Sequence, residues 1–212
     1  RVNPNVDAKT HKYISTGKSE NKFGIDFEFI LDAYERASSL PHLKLKGLQM
    51  HIGSQLTSVS PFVEAVEKVT PLAADLKNKY DIEFFSIGGG IGIVYEEALA
   101  SGSESWWTKQ PDETRPLTPE QYSSAIIPSL APLGLKILLE PGRFIAGNAG
   151  VLVTKCLYEK KGSTKTFKIV DSGMHHLIRP ALYEGFHEIV PVAEPNGAVE
   201  SVDVVGPICE SG

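Results

Sequence analysis

Four short apolar runs, residues 1–3, 43–50, 82–87 and 135–139, each pass straight into a polar or glycine-rich segment. Amphipathic stretches separate the runs, and strands that alternate with helices build a parallel sheet through crossover connections. Strands joined this way all end on one edge. Asn3-Pro4, His51-Ile52-Gly53-Ser54, Gly88-Gly89-Gly90 and Glu140-Pro141-Gly142-Arg143 are therefore expected together at the C-terminal ends of their strands, where parallel barrels carry their active sites. The chain reads as α/β, part of a TIM-type (β/α)8 barrel. Eight strands close such a barrel and four are countable, so half of it is expected to lie outside these 212 residues. The chain opens on Arg1, within a strand and without a methionine, which adds to the expectation of an upstream segment.

Helical spacing of Phe62, Val66, Val69, Leu72 and Leu76 predicts a core-facing helix, with Ser60 as its N-cap and Pro61 at its first position. Thr118-Pro119-Glu120-Gln121 has the form of a capping box and predicts a second helix, kinked at Pro128. Residues 92–117 are too long for a simple barrel connection and read as an insertion. After Asn148 the pattern changes to short β runs at 151–157, 167–170, 188–192 and 199–205, separated by turn formers such as Lys161-Gly162-Ser163 and Pro195-Asn196-Gly197. The organisation expected is a barrel portion over residues 1–148 and part of an antiparallel β domain over 149–212.

Composition excludes several other classes. With 42% hydrophobic and 22% charged residues, the chain resembles an ordinary globular protein and not a disordered or fibrous one. No apolar run approaches the roughly 20 residues of a membrane span, so no membrane partner is expected. A net charge of -5 argues against nucleic acid, which is normally met by a basic face. Two cysteines, Cys156 and Cys209, are too few for a disulfide framework and read as reduced thiols of a cytoplasmic protein. No metal is expected.

The strand-end residues carry the chemistry. Glycines at 88, 89 and 90 let backbone amides approach an anion closely, although ligand-free turns use glycine as often. His51 reads as a catalytic group or as a hydrogen-bonded packing residue. Ser54 could simply cap a helix, and Glu140 with Arg143 could be a structural ion pair. For Cys156, in an apolar β run, a buried small hydrophobe is the preferred reading.

Taken together, His51-Ile52-Gly53-Ser54-Gln55, Gly88-Gly89-Gly90, Glu140-Pro141-Gly142-Arg143, Leu177-Ile178-Arg179-Pro180-Ala181-Leu182-Tyr183 with His187 beyond it, and Cys209-Glu210-Ser211-Gly212 resemble the diaminopimelate decarboxylases in order and spacing. These belong to the barrel decarboxylases dependent on pyridoxal 5'-phosphate. Barrel decarboxylases for ornithine and arginine share the earlier motifs more loosely. His175 after Met174 is a local departure, because asparagine is common there.

The resemblance implies that Glu140 keeps a proton on the cofactor's pyridine nitrogen, that His51 lies against the ring, and that Ser54, Gly88, Gly89, Gly90, Gly142 and Arg143 hold the cofactor and its phosphate. It implies Cys209 as the acid that returns a proton after loss of carbon dioxide. Arg143, Arg179 and Tyr183 would grip a distant substrate carboxylate, and Glu210 the ammonium beside it. A substrate with only a cationic side chain would be poorly served by two arginines. A homodimer with shared active sites is implied, as is a cofactor lysine on an early strand outside this chain, without which these 212 residues alone would be inactive. Alternatives are a decarboxylase for arginine, ornithine or carboxynorspermidine, a non-catalytic cofactor-binding homologue, and a barrel isomerase or aldolase binding a sugar phosphate.

Overall fold

The computed structural model describes residues 1–8, 17, 22–111, 115–194, 197 and 200–209. The chain forms two compact units, Arg1–Val94 with Glu104–Ala149, and Tyr95–Ser103 with Gly150–Gly212.

The first unit is a parallel α/β assembly. Strands β1 (Val2–Asn3) and β2 (Ile25–Asp26) pair in parallel, Val2 opposite Ile25. Strands β3 (Gly47–Gln49), β4 (Phe84–Ser86) and β5 (Lys136–Leu138) form a parallel sheet in the order β3-β4-β5. Among the described residues five parallel strands are thus present where the sequence counts four. The extra one is β2, a two-residue strand after Gly24 at φ 79, too short to register as an apolar run.

Helix α1 (Ile30–Ser38), also not foreseen, buries Ile30 and Tyr34. Helix α2 (Ser60–Tyr80) buries Phe62, Ala65, Val66, Val69, Leu72, Ala73 and Leu76 on one face. Ser60 is the first helical residue, not its cap: Val59 occupies the N-cap without a side-chain bond. Proline at the second helical position needs no amide partner, so the start tolerates this shift. Thr118 caps helix α4 (Pro119–Leu130) as expected, its Oγ1 accepting from the Gln121 amide at 3.2 Å while Gln121 Oε1 accepts from the Thr118 amide at 3.0 Å. That helix runs through Pro128 to Leu130 and tightens into a 3-10 turn, Ala131–Leu133. Phe62 of α2 meets Tyr122 of α4 edge-on, ring centroids 4.9 Å apart.

The core lies in this unit. Val2, Leu48 and Phe85 of the strands, with Met50 and Ile87 just beyond them, meet the apolar faces of α1, α2 and α4, all within 8% of full burial. Truncating one such side chain, for instance Leu76→Ala, costs about 2–5 kcal/mol. Residues 92–117 contain a 3-10 turn, Ala100–Gly102, and helix α3 (Glu104–Lys109).

In the second unit, β6 (Cys156–Lys161) and β7 (Thr166–Val170) form an antiparallel hairpin closed by the Gly162 amide on the Lys165 carbonyl at 2.9 Å. Strand β8 (Asp203–Val205) then pairs with β7 in parallel, not antiparallel. The more than thirty residues between them, which include helix α6 (Arg179–Tyr183), are long enough to return the chain to the same end of the sheet. Residues 188–192 form no strand, and Pro195 and Asn196 lie outside the described residues. Cys156 corrects another expectation: it is exposed, like every residue of β6, because this edge strand has neither face covered among the described residues. No described helix is long and apolar enough to cross a membrane.

Candidate active site

Register explains which side chains meet. Gln49 pairs with Ser86, and Ser86 with Leu138, across β3-β4-β5. Side chains two residues apart share a face of a strand, so Glu140, two beyond Leu138, comes onto the face of Gln49 and Ser86. The Ser86 hydroxyl donates to Glu140 Oε1 at 2.5 Å, and Gln49 Nε2 reaches the same oxygen at 3.2 Å. Ser86 is 3% exposed. Glu140 takes these hydrogen bonds from neutral donors and not from Arg143, so the ion-pair reading does not hold. Arg143 Nε instead donates to Ser54 Oγ at 2.9 Å.

The Gly89 amide donates to His51 Nδ1 at 3.1 Å. An N–H donor can only meet an unprotonated ring nitrogen, so the imidazole is neutral with its hydrogen on Nε2. Burial lowers the His51 pKa, the Arg1 guanidinium adds to this, and Glu140 acts in the opposite sense. Arg1 Nη2 also donates to the His51 carbonyl at 3.0 Å.

The glycine triplet is required by the crossing of these loops. A Cβ on Gly88 would fall 2.4 Å from the Met50 carbonyl oxygen, on Gly89 2.1 Å from that of Glu140, and on Gly90 2.4 Å from that of Gly53. Two of its amides are engaged internally, Gly88 on Ser86 Oγ at 3.3 Å and Gly89 on His51. The reason for glycine here is thus the mutual approach of three strand-end loops, those after β3, β4 and β5. Gly142, by contrast, begins the short helix α5 (Gly142–Ala146) with nothing within 4 Å of an added Cβ.

Sequence reasoning missed Gln49 and Ser86. Their signal was available: each is a polar residue closing an otherwise apolar strand, and a buried hydroxyl needs a partner.

In the second unit, helix α6 begins with Arg179. Its guanidinium carbon lies 4.1 Å from the centre of the Tyr95 ring, and Nη1 donates to His187 Nε2 at 2.8 Å. Tyr183, on the same short helix, is partly buried. His175 is exposed and its ring meets that of His176 at a tilt of 45°, centroids 3.9 Å apart. Cys209 is a free, exposed thiol. Glu210 lies outside the described residues. No cluster of His, Cys, Asp and Glu able to hold a metal occurs among the described residues.

A parallel α/β edge carrying a fixed carboxylate, a neutral imidazole, and a hydroxyl bonded to a guanidinium defines a cofactor-binding domain. The chain belongs to the pyridoxal-dependent decarboxylases: residues 1–147 match the family's pyridoxal binding domain. It is 42% identical over its whole length to a diaminopimelate decarboxylase of Vibrio cholerae and 43% identical to that of Aquifex aeolicus, covering 47% of each. The crystal structure of diaminopimelate decarboxylase from Helicobacter pylori complexed with L-lysine superposes with a TM-score of 0.85 at 40% identity, over all of this chain and 49% of that one. The enzyme from M. jannaschii gives 0.81 at 34%. The chain thus spans about half the length of the curated relatives it matches, and its fold is part of a (β/α)8 barrel with part of a β domain.

Family membership implies pyridoxal phosphate, and the residues present fit it. A phosphate asks for hydroxyl, guanidinium and amide donors, which Ser54, Arg143 and the Gly90 loop offer at one edge. A pyridine nitrogen asks for a carboxylate, and Glu140 is held in place by hydrogen bonds from two neutral donors, with the Arg1 guanidinium near enough to feel its charge.

Proposed function

We propose that the full-length protein is a cytoplasmic, homodimeric decarboxylase that converts meso-diaminopimelate to L-lysine with pyridoxal phosphate, serving lysine biosynthesis. The observation that carries this reading is the Glu140 carboxylate, fixed by Ser86 and Gln49 on the edge that also bears neutral His51. Residues 1–148 contribute to the cofactor-binding barrel and 149–212 to the β domain, a division that the two compact units support except at Tyr95–Ser103, which group with the second.

When bound, the cofactor supplies an electron sink for the bond to the departing carboxylate. Glu140 keeps a proton on the ring nitrogen, which strengthens that sink. His51, neutral and held by the Gly89 amide, would offer the ring an uncharged face. Ser54, Gly88, Gly89, Gly90, Gly142 and Arg143 bind the phosphate end. Arg143, Arg179 and Tyr183 recognise the distal carboxylate of the substrate, and Glu210 its ammonium. The Cys209 thiol gives a proton to the carbon that lost carbon dioxide, in the pocket of the neighbouring subunit. Support for these roles is the match of each residue to the motif order of the resembled family.

Carbon dioxide release from meso-diaminopimelate, arginine, ornithine and carboxynorspermidine, measured on the full-length protein with the cofactor supplied, tests the proposal. Turnover confined to diaminopimelate is expected. Preference for another substrate, or none, sinks it.

A further inference from the structure

The Arg179 guanidinium is enclosed on several sides by residues that have no role in the reading above. The Tyr95 ring covers one face, with the guanidinium carbon 4.1 Å from its centroid. His187 Nε2 accepts from Nη1 at 2.8 Å, and the Phe186 carbonyl stands 3.4 Å from the same nitrogen. Tyr95 and His187 also meet each other edge-on, centroids 5.9 Å apart. A Cβ on Gly185 would fall 3.0 Å from the guanidinium carbon, so the missing side chain is the space the group occupies. This follows from local folding. Helix α6 lasts five residues, Glu184 turns left-handed at φ 51, and the Gly185 amide returns to the Arg179 carbonyl at 3.2 Å.

Tyr95 comes from the segment read as an insertion. That segment is fastened to the same unit a second time, by the Leu99 amide on Glu188 Oε2 at 3.1 Å.

We propose that Tyr95 and His187 are positioning residues that hold Arg179 in one orientation as a carboxylate-recognising group, an inference resting on the substrate role given to Arg179 above. A guanidinium is always a donor, so His187 must offer an unprotonated Nε2 and carry its hydrogen on Nδ1. A neutral acceptor and an aromatic face fix the guanidinium without neutralising it, as a carboxylate partner would. Its full charge and its remaining N–H donors stay available to an anion. A long arginine held this way loses less rotamer freedom on binding, and the gain falls on affinity and not on the chemical step.

The test is made in the full-length holoenzyme. Tyr95→Leu and His187→Leu are expected to raise KM for diaminopimelate about 5- to 20-fold each, the scale of one cation–aromatic or charge-assisted contact, with kcat within twofold. Tyr95→Phe keeps the ring and His187→Gln keeps an acceptor, and both are expected within threefold of the parent. A second readout needs no turnover. Burial and then the charge of Arg179 lower the His187 pKa, so Arg179→Ala should shift the imidazole titration upward by NMR. If Arg179→Ala raises KM but the leucine variants do not, or if the conservative variants fail equally, the positioning inference is overturned. If Arg179→Ala itself leaves KM unchanged while the His187 titration still moves, the substrate reading is what fails.

Discussion

The Ser86 hydroxyl donates to Glu140 Oε1 at 2.5 Å from a strand position that is 3% exposed. A buried hydroxyl on a rigid strand holds the carboxylate in one place, and Gln49 shares the same oxygen. Glu140→Gln preserves shape but removes the charge that would keep a ring nitrogen protonated. Turnover is expected to fall about 100-fold, roughly 2.7 kcal/mol, with KM changed less than threefold. Ser86→Ala removes one charge-assisted hydrogen bond, and a smaller fall of about tenfold is expected. Steady-state kinetics of the two variants checks both, and parental turnover in Glu140→Gln would remove that residue from its role.

Gly89 and Gly142 give a stability contrast. A Cβ at Gly89 would meet the Glu140 carbonyl oxygen at 2.1 Å, a backbone atom that cannot swing aside, whereas Gly142 has nothing within 4 Å. Gly89→Ala is expected to cost about 1–3 kcal/mol and to lower Tm by about 2–12 °C. Gly142→Ala should leave Tm within about 2 °C. Calorimetry that shows equal Tm for the two variants would contradict the loop crossing described here.

His51 predicts a pH dependence. Its folded pKa lies below the ordinary imidazole value, with burial as the main cause. The native state therefore disfavours a proton that the unfolded chain accepts, so the stabilising contribution is complete above the unfolded pKa of about 6.5. It is lost as pH falls from there through the folded value. His51→Asn retains an acceptor for the Gly89 amide but does not titrate, and its stability should vary less between pH 7 and pH 5. Denaturant unfolding across that range makes the comparison, and identical slopes would rule the effect out.

Cys209 predicts complementation. If its thiol acts in the neighbouring subunit's pocket, mixing Cys209→Ala with Glu140→Gln subunits places both intact groups in one pocket of each hybrid dimer. Random mixing is expected to recover about a quarter of parental activity, half of the dimers being hybrid with one working site of two. Hybrid formation is confirmed by mass spectrometry. No recovery in confirmed hybrids would mean that each pocket is built from one chain.

The sequence by itself determined four of the parallel strands, the apolar face of α2, the capping box at Thr118 and the four strand-end motifs, because each is written in residues close together along the chain. Periodicity and capping are local physics. What only the tertiary structure decided are relations between distant residues. β2 exists because Ile25 finds Arg1 and Val2, not because two residues form a strand alone. β8 runs parallel because the chain between it and β7 returns to the same end of the sheet. Cys156, in an apolar run, is exposed because burial depends on what covers a strand and not on its own composition. At the strand-end edge, Ser86 meets Glu140 through 54 residues of separation, and Gly89 selects the tautomer of His51. Hydrogen bonds of that kind are set by register between strands, and register is fixed only when the helices between them pack.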